Sequence, residues 1–454
     1  MTHDLPEGWA RAPLAQVIDD LQAGFASGEK NVKGGLPHLR MNNIALNGKL
    51  DLSLLRTVPK RLAGLQHYLQ LGDVLVCTTN SGKLVGKCAH FDLEGEYAFS
   101  NHLTRIRPTP DLVDGRFLRW NLWLHWQSGA IQERCKHWVN QCTLPKDVLL
   151  EMDVAIPPLP EQRRVVEKLE KLLSRVDTCQ KRLEKIPMLL KRLRHSVLTA
   201  ACSGRLTADW REENEGALAR ERWSLTTDPL GSLSLPKLPE TWAWRKLGDI
   251  SERVSVGHVG PTSKFYCDSR NGIPLVRSQN VRPMRLALED VRYITEEFHS
   301  SLKKSELRAG DLLIVRVGAN RGNTCRVPEG VTPLNCANVV FARPFSGISD
   351  FLEHYCQSKP GQELMLEMTT GSAQGVINTK AIAELPVPIP PESEQVEIMQ
   401  RVRSLFALCD QLEVRFDKAH RLVGQLTPCL LAKAFRGELV RSEAELALRR
   451  EARA

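Results

Sequence analysis

A stretch of about fifty residues occurs twice in this chain, and the repeat limits what the chain can fold into more than any other feature. The first copy covers residues 156–206 and the second residues 389–439. Glu161 and Gln162 answer to Glu394 and Gln395, Asp177 to Asp410, and Gly204 to Gly437, all at an offset of 233 residues without a gap. The same offset relates Leu5-Pro6-Glu7-Gly8-Trp9 to Leu238-Pro239-Glu240-Thr241-Trp242, then Leu14 to Leu247 and Gly24 to Gly257. The duplicated object is therefore a whole globular domain followed by a long helix.

The helices carry the stronger physical signal. In the first copy Leu169, Leu172, Val176, Cys179, Leu183, Ile186, Leu190, Leu193 and Val197 alternate steps of three and four. In the second, Val402, Leu405, Cys409, Leu412, Phe416, Ala419, Val423, Leu426 and Leu430 do the same. Such spacing puts apolar side chains on one helical stripe, the seam of a coiled coil. Two stripes in register predict each other as partners, and antiparallel pairing places one globular unit at each end. Residues 161–186 would span about 39 Å at 1.5 Å per residue, near one turn of B-DNA. Pro157-Pro158 and Pro390-Pro391 precede the helices, and Gly204 and Gly437 fit C-terminal caps. Pro187 is expected to kink or break the first helix near its middle, and Pro428 the second only near its end.

Within the globular units the two copies diverge. Leu36-Pro37-His38-Leu39 leads to Arg40, Asn42 and Asn43, as Ile273-Pro274-Leu275-Val276 leads to Arg277, Gln279 and Asn280. Each reads as a strand entering a polar turn. Gly72-Asp73 and Gly310-Asp311 each precede a β-branched run expected to be a buried strand. Polar loops follow, with Asn80, Ser81 and Lys83 in one unit and Arg316, Asn320 and Arg321 in the other. Asn140 and Gln141 come late in the first unit, Ser372 and Gln374 late in the second. Arg and Lys can pair with guanine, and Asn and Gln with adenine, so these are candidate DNA-reading residues; solvated turns are the plain alternative. Trp120, Trp123 and Trp126 recur every three residues on a helix starting near Phe117, which favours a core stripe over a base-stacking platform.

Composition bears on the partner. The 454 residues have a formal net charge of +9, which suits a polyanion without requiring one. Residues 161–207 carry twelve Lys or Arg against five Asp or Glu, whereas residues 394–440 carry seven against six. The excess centres on Lys181, Arg182, Lys185, Lys191, Arg192 and Arg194, which fits a solvated face, a phosphate-tracking face or a dock for an acidic partner. Catalytic signatures are missing. The stretch from Gly82 to Cys88 has three residues between its glycines rather than four, and Cys88 where a phosphate loop needs Ser or Thr. No Asn-Pro-Pro or Asp-Pro-Pro occurs, no Rossmann glycine turn and no H-E-x-x-H. Twelve cysteines form no C-x-x-C pair and read as reduced core thiols, consistent with a cytoplasmic protein. The N-terminus lacks an export signal, and no apolar run is long enough for a membrane span.

Ile156-Pro157-Pro158 with Glu161-Gln162, their copies at Ile389 and Glu394, and the endings through Gly204-Arg205-Leu206 and Gly437-Glu438-Leu439 resemble the specificity subunits of type I restriction–modification systems. Leu5-Pro6-Glu7-Gly8-Trp9 and Thr207-Ala208-Asp209-Trp210-Arg211 resemble the type IA branch, although no Trp-Arg follows Leu439. The resemblance implies an α+β chain: two similar α/β target-recognition domains separated by two long antiparallel coiled-coil helices, related by a pseudo-two-fold repeat. It implies recognition domains at 1–155 and 238–388, spacer helices at 156–206 and 389–440, a linker at 207–237 and a charged tail at 441–454. Each domain would read one half of an asymmetric double-stranded DNA site. The helices would fix the gap and dock two methyltransferase subunits, with two restriction subunits completing the complex. The chain itself would hold no cofactor and no metal; S-adenosylmethionine, ATP and Mg would belong to the partners. The rival readings are a stand-alone methyltransferase or nuclease with divergent motifs, and a coiled-coil assembly protein.

Overall fold

The computed structural model describes residues 5–139, 141–218, 235–331, 333–345, 347–368 and 375–452. The chain divides into two compact units, residues 1–184 with 418–454, and residues 185–417. Five helices organise them: α1 (Gly115–Gln127), α2 (Leu159–Leu183), α3 (Ile186–Cys202), α4 (Ser349–Gln357) and α5 (Glu392–Phe435).

Each unit is built on the same sheets. In the first, an antiparallel sheet runs Ile18–Ala23, Leu103–Pro108, Val74–Cys77, Cys88–His90. In the second, the corresponding order is Ser251–Val256, Val339–Pro344, Leu312–Val315, Thr324–Arg326. A smaller sheet pairs Leu36–Leu39 in parallel with Ala98–Phe99, as Gly272–Val276 pairs with Leu334–Cys336. A ribbon of Ala10–Pro13 with Asp153–Ile156 ties the domain's first strand to the one entering α2; Ala243–Lys246 with Pro386–Ile389 repeats it before α5.

The Gly-Asp turns explain the central strands. Val74–Cys77 and Leu312–Val315 are buried throughout. Gly72 and Gly310 enter them at φ +96° and +87°, a conformation that favours glycine. The aspartate after each glycine accepts a local N–H, from Gln70 at 2.7 Å and from Arg308 at 2.8 Å. Each also takes a two-pronged arginine from the neighbouring strand, Arg107 on Asp73 at 2.9 Å and Arg343 on Asp311 at 2.7 and 2.8 Å. That hydrogen-bonded geometry holds both guanidinium pKa values above their usual range.

The tryptophan stripe on α1 is core, as its spacing suggests. Trp120, Trp123 and Trp126 are all buried, and successive rings meet edge to face at 5.7 and 6.0 Å. Nine of the twelve cysteines are buried and all twelve are free thiols.

The long helices pack antiparallel. In the first unit Val165, Val166, Leu169 and Leu173 of α2 share a core with Leu430, Leu431, Ala434 and Phe435 of α5. In the second, Val197 and Ala201 of α3 meet Ile398, Met399, Val402 and Leu405, near the start of α5. The seam is not evenly buried. Leu169, Val176, Leu190 and Val402 are buried, and Leu172, Leu183, Ile186, Leu405, Leu412, Phe416 and Val423 half-buried. Leu193 and Leu426 stay 40 and 42 % exposed. Burial is as deep off the stripe at Val165, Val166 and Leu431, which join the core of the first unit.

Pro187 acts as expected. Its ring would meet the carbonyl of residue 183, and α2 ends at Leu183. Pro428 does not break its helix: α5 continues through it to Phe435. Gly204 and Gly437 cap their helices at φ +73°. A Cβ on Gly204 would lie 2.5 Å from Pro239, and one on Gly437 2.4 Å from Pro6. Each capping glycine therefore seats the Leu-Pro-Glu opening of the domain in its own unit.

The Glu-Gln motif has the complementary task. The Trp9 indole donates to Glu161 at 2.8 Å, and the Trp242 indole to Glu394 at 2.8 Å, both carboxylates fully buried. Glu394 also accepts from Thr207 at 2.7 Å and from Arg211 at 2.6 Å. Residues 208–213 and 215–218 are helical, which is how Arg211 comes to face Glu394. In the first unit the tail helix Glu443–Glu451 replaces that arginine: the Glu443 backbone N–H donates to Glu161 at 3.0 Å. The missing Trp-Arg after Leu439 is thus answered by a backbone donor. Gln162 and Gln395 donate to the Pro157 and Pro390 carbonyls at 2.8 and 2.9 Å, fixing the turn into each helix.

Candidate nucleic-acid interface

The polar turns of the two domains share their backbone angles and hydrogen bonds. Leu36–Leu39 ends at Arg40, extended at φ −131°, ψ 171°, before a short 3-10 turn Met41–Asn43. Gly272–Val276 ends at Arg277, at φ −127°, ψ 171°, before Ser278–Asn280. The Asn43 oxygen accepts the Arg40 N–H at 2.9 Å and its amide donates to Asp51 at 2.7 Å. Asn280 repeats this with Arg277 at 3.0 Å and Ala287 at 3.0 Å. Both asparagine side chains are buried within the turn, and there they hold the neighbouring arginine in place. Asn42 and Gln279, one position earlier, are exposed.

Arg40 and Arg277 are half-buried, and the Nε of each has no hydrogen-bond partner. Arg40 donates from Nη2 to Leu54 at 3.0 Å, and burial together with nearby Arg56 lowers its pKa. A groove of about 360 Å³ opens beside it, with Lys30, His38, Arg56, Asn101 and His102 on its walls. His38 Nε2 and Ser100 Oγ are buried there without partners. Unpartnered donors and cations in a concave wall suit a polyanion whose groups complete them.

The second loop gathers further candidates in the first unit. Thr79–Asn80 pairs with Cys142–Thr143, which pairs in turn with Lys136–His137. Asn80 therefore lies on one strand of this small sheet, and exposed Gln141 immediately precedes the adjoining one. Asn80 is partly engaged, its oxygen accepting the Ser81 N–H at 2.8 Å; Ser81 and Lys83 are exposed. The hairpin also presents Trp138 at 67 % and Val139 at 99 % exposure, residues that no periodicity singles out. Lys87, from the glycine-bearing stretch, is buried and donates to the Ile44 and Met41 carbonyls at 2.6 and 3.2 Å. It braces the Arg40 turn and faces no phosphate-sized loop.

In the second unit Arg316 is half-buried with Nε unpartnered, and its carbonyl accepts the Ile377 N–H at 3.0 Å. Arg321 donates to the Gly375 carbonyl, tying two loops together, and Asn320 is exposed. Asn140, Ser372 and Gln374 lie outside the described residues. Among the described residues no cluster of His, Cys, Asp and Glu could hold a metal, and no helix is long and apolar enough to cross a membrane.

Comparison with known proteins follows the same lines. A type I restriction modification DNA specificity domain model matches residues 239–416. The chain is 30 % identical over 447 residues to the type I restriction enzyme EcoKI specificity subunit of Escherichia coli K12, covering 96 % of this chain and 90 % of that one. It is 30 % identical over 451 residues to the StySPI specificity subunit of Salmonella potsdam, again covering 96 and 90 %. The crystal structure of an HsdS subunit from Thermoanaerobacter tengcongensis shares the fold, with a TM-score of 0.64 at 19 % identity over 96 % of this chain and 99 % of that one. Identity at this level along nearly the whole length, on a duplicated frame that presents matching arginine turns, makes the chain a member of the DNA specificity subunits of type I restriction–modification systems.

Proposed function

We propose that each domain reads one half of a bipartite, asymmetric site in double-stranded DNA. Arg40, Asn42, Asn80, Ser81, Lys83 and Gln141 serve one half-site, and Arg277, Gln279, Arg316, Asn320 and Arg321 the other. Asn43 and Asn280 position the arginines. Asn140, Ser372 and Gln374 belong to the same loops by sequence. The observation that carries this reading is the pair of half-buried arginines, Arg40 and Arg277, held by one turn geometry in two domains whose loops otherwise differ. A guanidinium presented in this way suits the two acceptors of guanine.

The chain is a non-catalytic subunit. The helices α2, α3 and α5 act as spacer and dock for two methyltransferase subunits, and two restriction subunits complete the cytoplasmic complex. S-adenosylmethionine, ATP and Mg are held by those partners. The test is to express the chain with its methyltransferase subunit and map methylated adenines across a genome. A split site with two constant halves is the expected result, and a continuous site or none overturns the reading. Inserting one heptad between Glu170 and Asp177 should lengthen the unread gap and leave both half-sites unchanged.

A further inference from the structure

The hairpin beside the second reading loop of the first unit ends in two exposed apolar residues. Lys136–His137 pairs with Cys142–Thr143, and the Trp138 N–H donates to the Gln141 carbonyl at 2.8 Å, closing the turn. The base of the hairpin is fixed: Cys135 and Cys142 are buried in the domain core, and Cys142 pairs with Asn80 on the neighbouring strand. The tip stands clear, with Trp138 67 % and Val139 99 % exposed. A lone exposed valine is ordinary on a protein surface, but an indole and a valine adjacent on an anchored turn form an apolar point.

The surroundings of the tip are cationic. Residues 134–146 include Arg134, Lys136, His137 and Lys146 and contain no Asp or Glu. Lys83 and His137 line a hollow of about 500 Å³ together with Trp126 and Gln132. The Trp126 indole N–H and the Gln132 side-chain oxygen are buried without hydrogen-bond partners. An apolar point ringed by cations and unmet polar groups suits a polyanion whose interior is apolar and stacked, which is the chemistry of a DNA duplex.

The repeat shows that the frame does not require this point. The Leu144 N–H donates to the Thr78 carbonyl at 2.8 Å, and the Ile377 N–H to the Arg316 carbonyl at 3.0 Å, which matches Leu144 with Ile377 at the offset of 233 residues. Along the same register Gln141 answers to Gln374, and Trp138-Val139 to Gly371-Ser372. One loop thus has an indole and an isopropyl group where the other has neither.

We propose that the tip is a wedge that parts one base step of the DNA at the first half-site, with Val139 entering the step and Trp138 stacking on a base face that the opening exposes. This rests on the reading of the first domain as a DNA reader. Asn80 lies on a strand of the hairpin's own sheet and Gln141 closes its turn, so a duplex read by these two lies against the tip. Stacking is blind to base identity, so the wedge deforms the duplex and specifies no further base directly. The preference it does impose is for a step that opens readily, a pyrimidine followed by a purine. With Gly371-Ser372 in the matching place, the second half-site is left unwedged.

The test uses the full-length chain with its methyltransferase subunit on a duplex carrying the mapped split site. 2-Aminopurine, which brightens when it loses its stacked neighbours, replaces one base at a time across each half-site and its flank. The wild-type protein is expected to brighten one step at the first half-site. Trp138→Gly with Val139→Ser, which copies the second domain at two exposed positions, is expected to abolish that signal and weaken binding by about tenfold. A probe at the methylated adenine is the control, since a base extruded for methylation brightens with both proteins. The absence of a brightened step with the wild type, or one that persists with the variant, overturns the proposal. So does loss of the methyltransferase subunit from the variant with DNA binding by the chain unchanged, which would make the tip a protein contact. If genome mapping yields no split site, the proposed function itself falls, and this inference with it.

Discussion

The two halves of this molecule keep the same interactions with different chemistry. Arg116 on α1 faces Glu170 on α2 at 3.8 Å; at the equivalent positions Asp350 on α4 faces Arg403 on α5 at 2.6 Å. The ion pair persists while its signs are exchanged. Three residues along each helix, Arg119 and Glu353 repeat the inversion in the buried layer. By contrast, Trp9–Glu161 and Trp242–Glu394 are the same in both halves, as are the Asp73–Arg107 and Asp311–Arg343 pairs. A buried indole N–H needs an acceptor and a buried carboxylate needs donors, so those positions admit few substitutes. A pair at the surface needs only opposite charges, and either order meets that need.

The sharpest contrast between the halves concerns the two buried glutamates. Glu394→Ala removes the partner of Trp242, Thr207 and Arg211 together, leaving a cation 18 % exposed without its counter-charge. We expect a loss of about 3–5 kcal/mol in chemical denaturation followed by fluorescence. Glu161→Ala removes an acceptor from Trp9 and the Glu443 N–H, both neutral donors, and should lose about 1–3 kcal/mol. Equal losses would mean that the Arg211 clamp contributes nothing specific to the second half.

The reading turns come next in size. Arg277→Ala should lower discrimination at one half-site by about 1–3 kcal/mol, and Arg40→Ala at the other, read as the spread of methylated sequences. A uniform loss across all sequences would make the arginine a phosphate contact.

Acid should separate the halves further. Burial lowers the pKa of His38, His67, His90 and His125 in the first unit and of His354 in the second, from an ordinary 6.5. These imidazoles stay neutral in the fold while the unfolded chain binds protons. Their stabilisation is complete above 6.5 and declines as pH falls below it toward the folded values. The first unit should therefore lose hydrogen-exchange protection before the second on acidification from about pH 7.5 to 5.5. Loss in the second unit first would contradict that order.

The smallest effect is the exchange itself. Arg116→Asp with Glu170→Arg copies the second half's polarity into the first, and at 37 and 43 % side-chain exposure it should change stability by no more than about 0.5 kcal/mol. A larger change in the double variant would mean that the pair contributes more than its two opposite charges.

The sequence by itself determined the duplication, the buried strands after Gly72 and Gly310, the two capping glycines, the break before Pro187 and the family. Each is carried by local backbone chemistry or by a repeated spacing, and both survive in one dimension. Tertiary structure decided the rest. Asn43 looked as free as Asn42, yet the fold turns its amide inward to Asp51. Pro428 was expected to kink or break its helix near the end, and α5 runs through it unbroken. The purpose of Glu161 became visible only when Trp9, 152 residues away, met it. Arg119 lay within an apolar run, and only the fold sets it over the Trp120 ring with the Asn47 carbonyl as its acceptor. Sequence spacing reports which face a residue shares; which groups reach that face from elsewhere in the chain is settled only by packing.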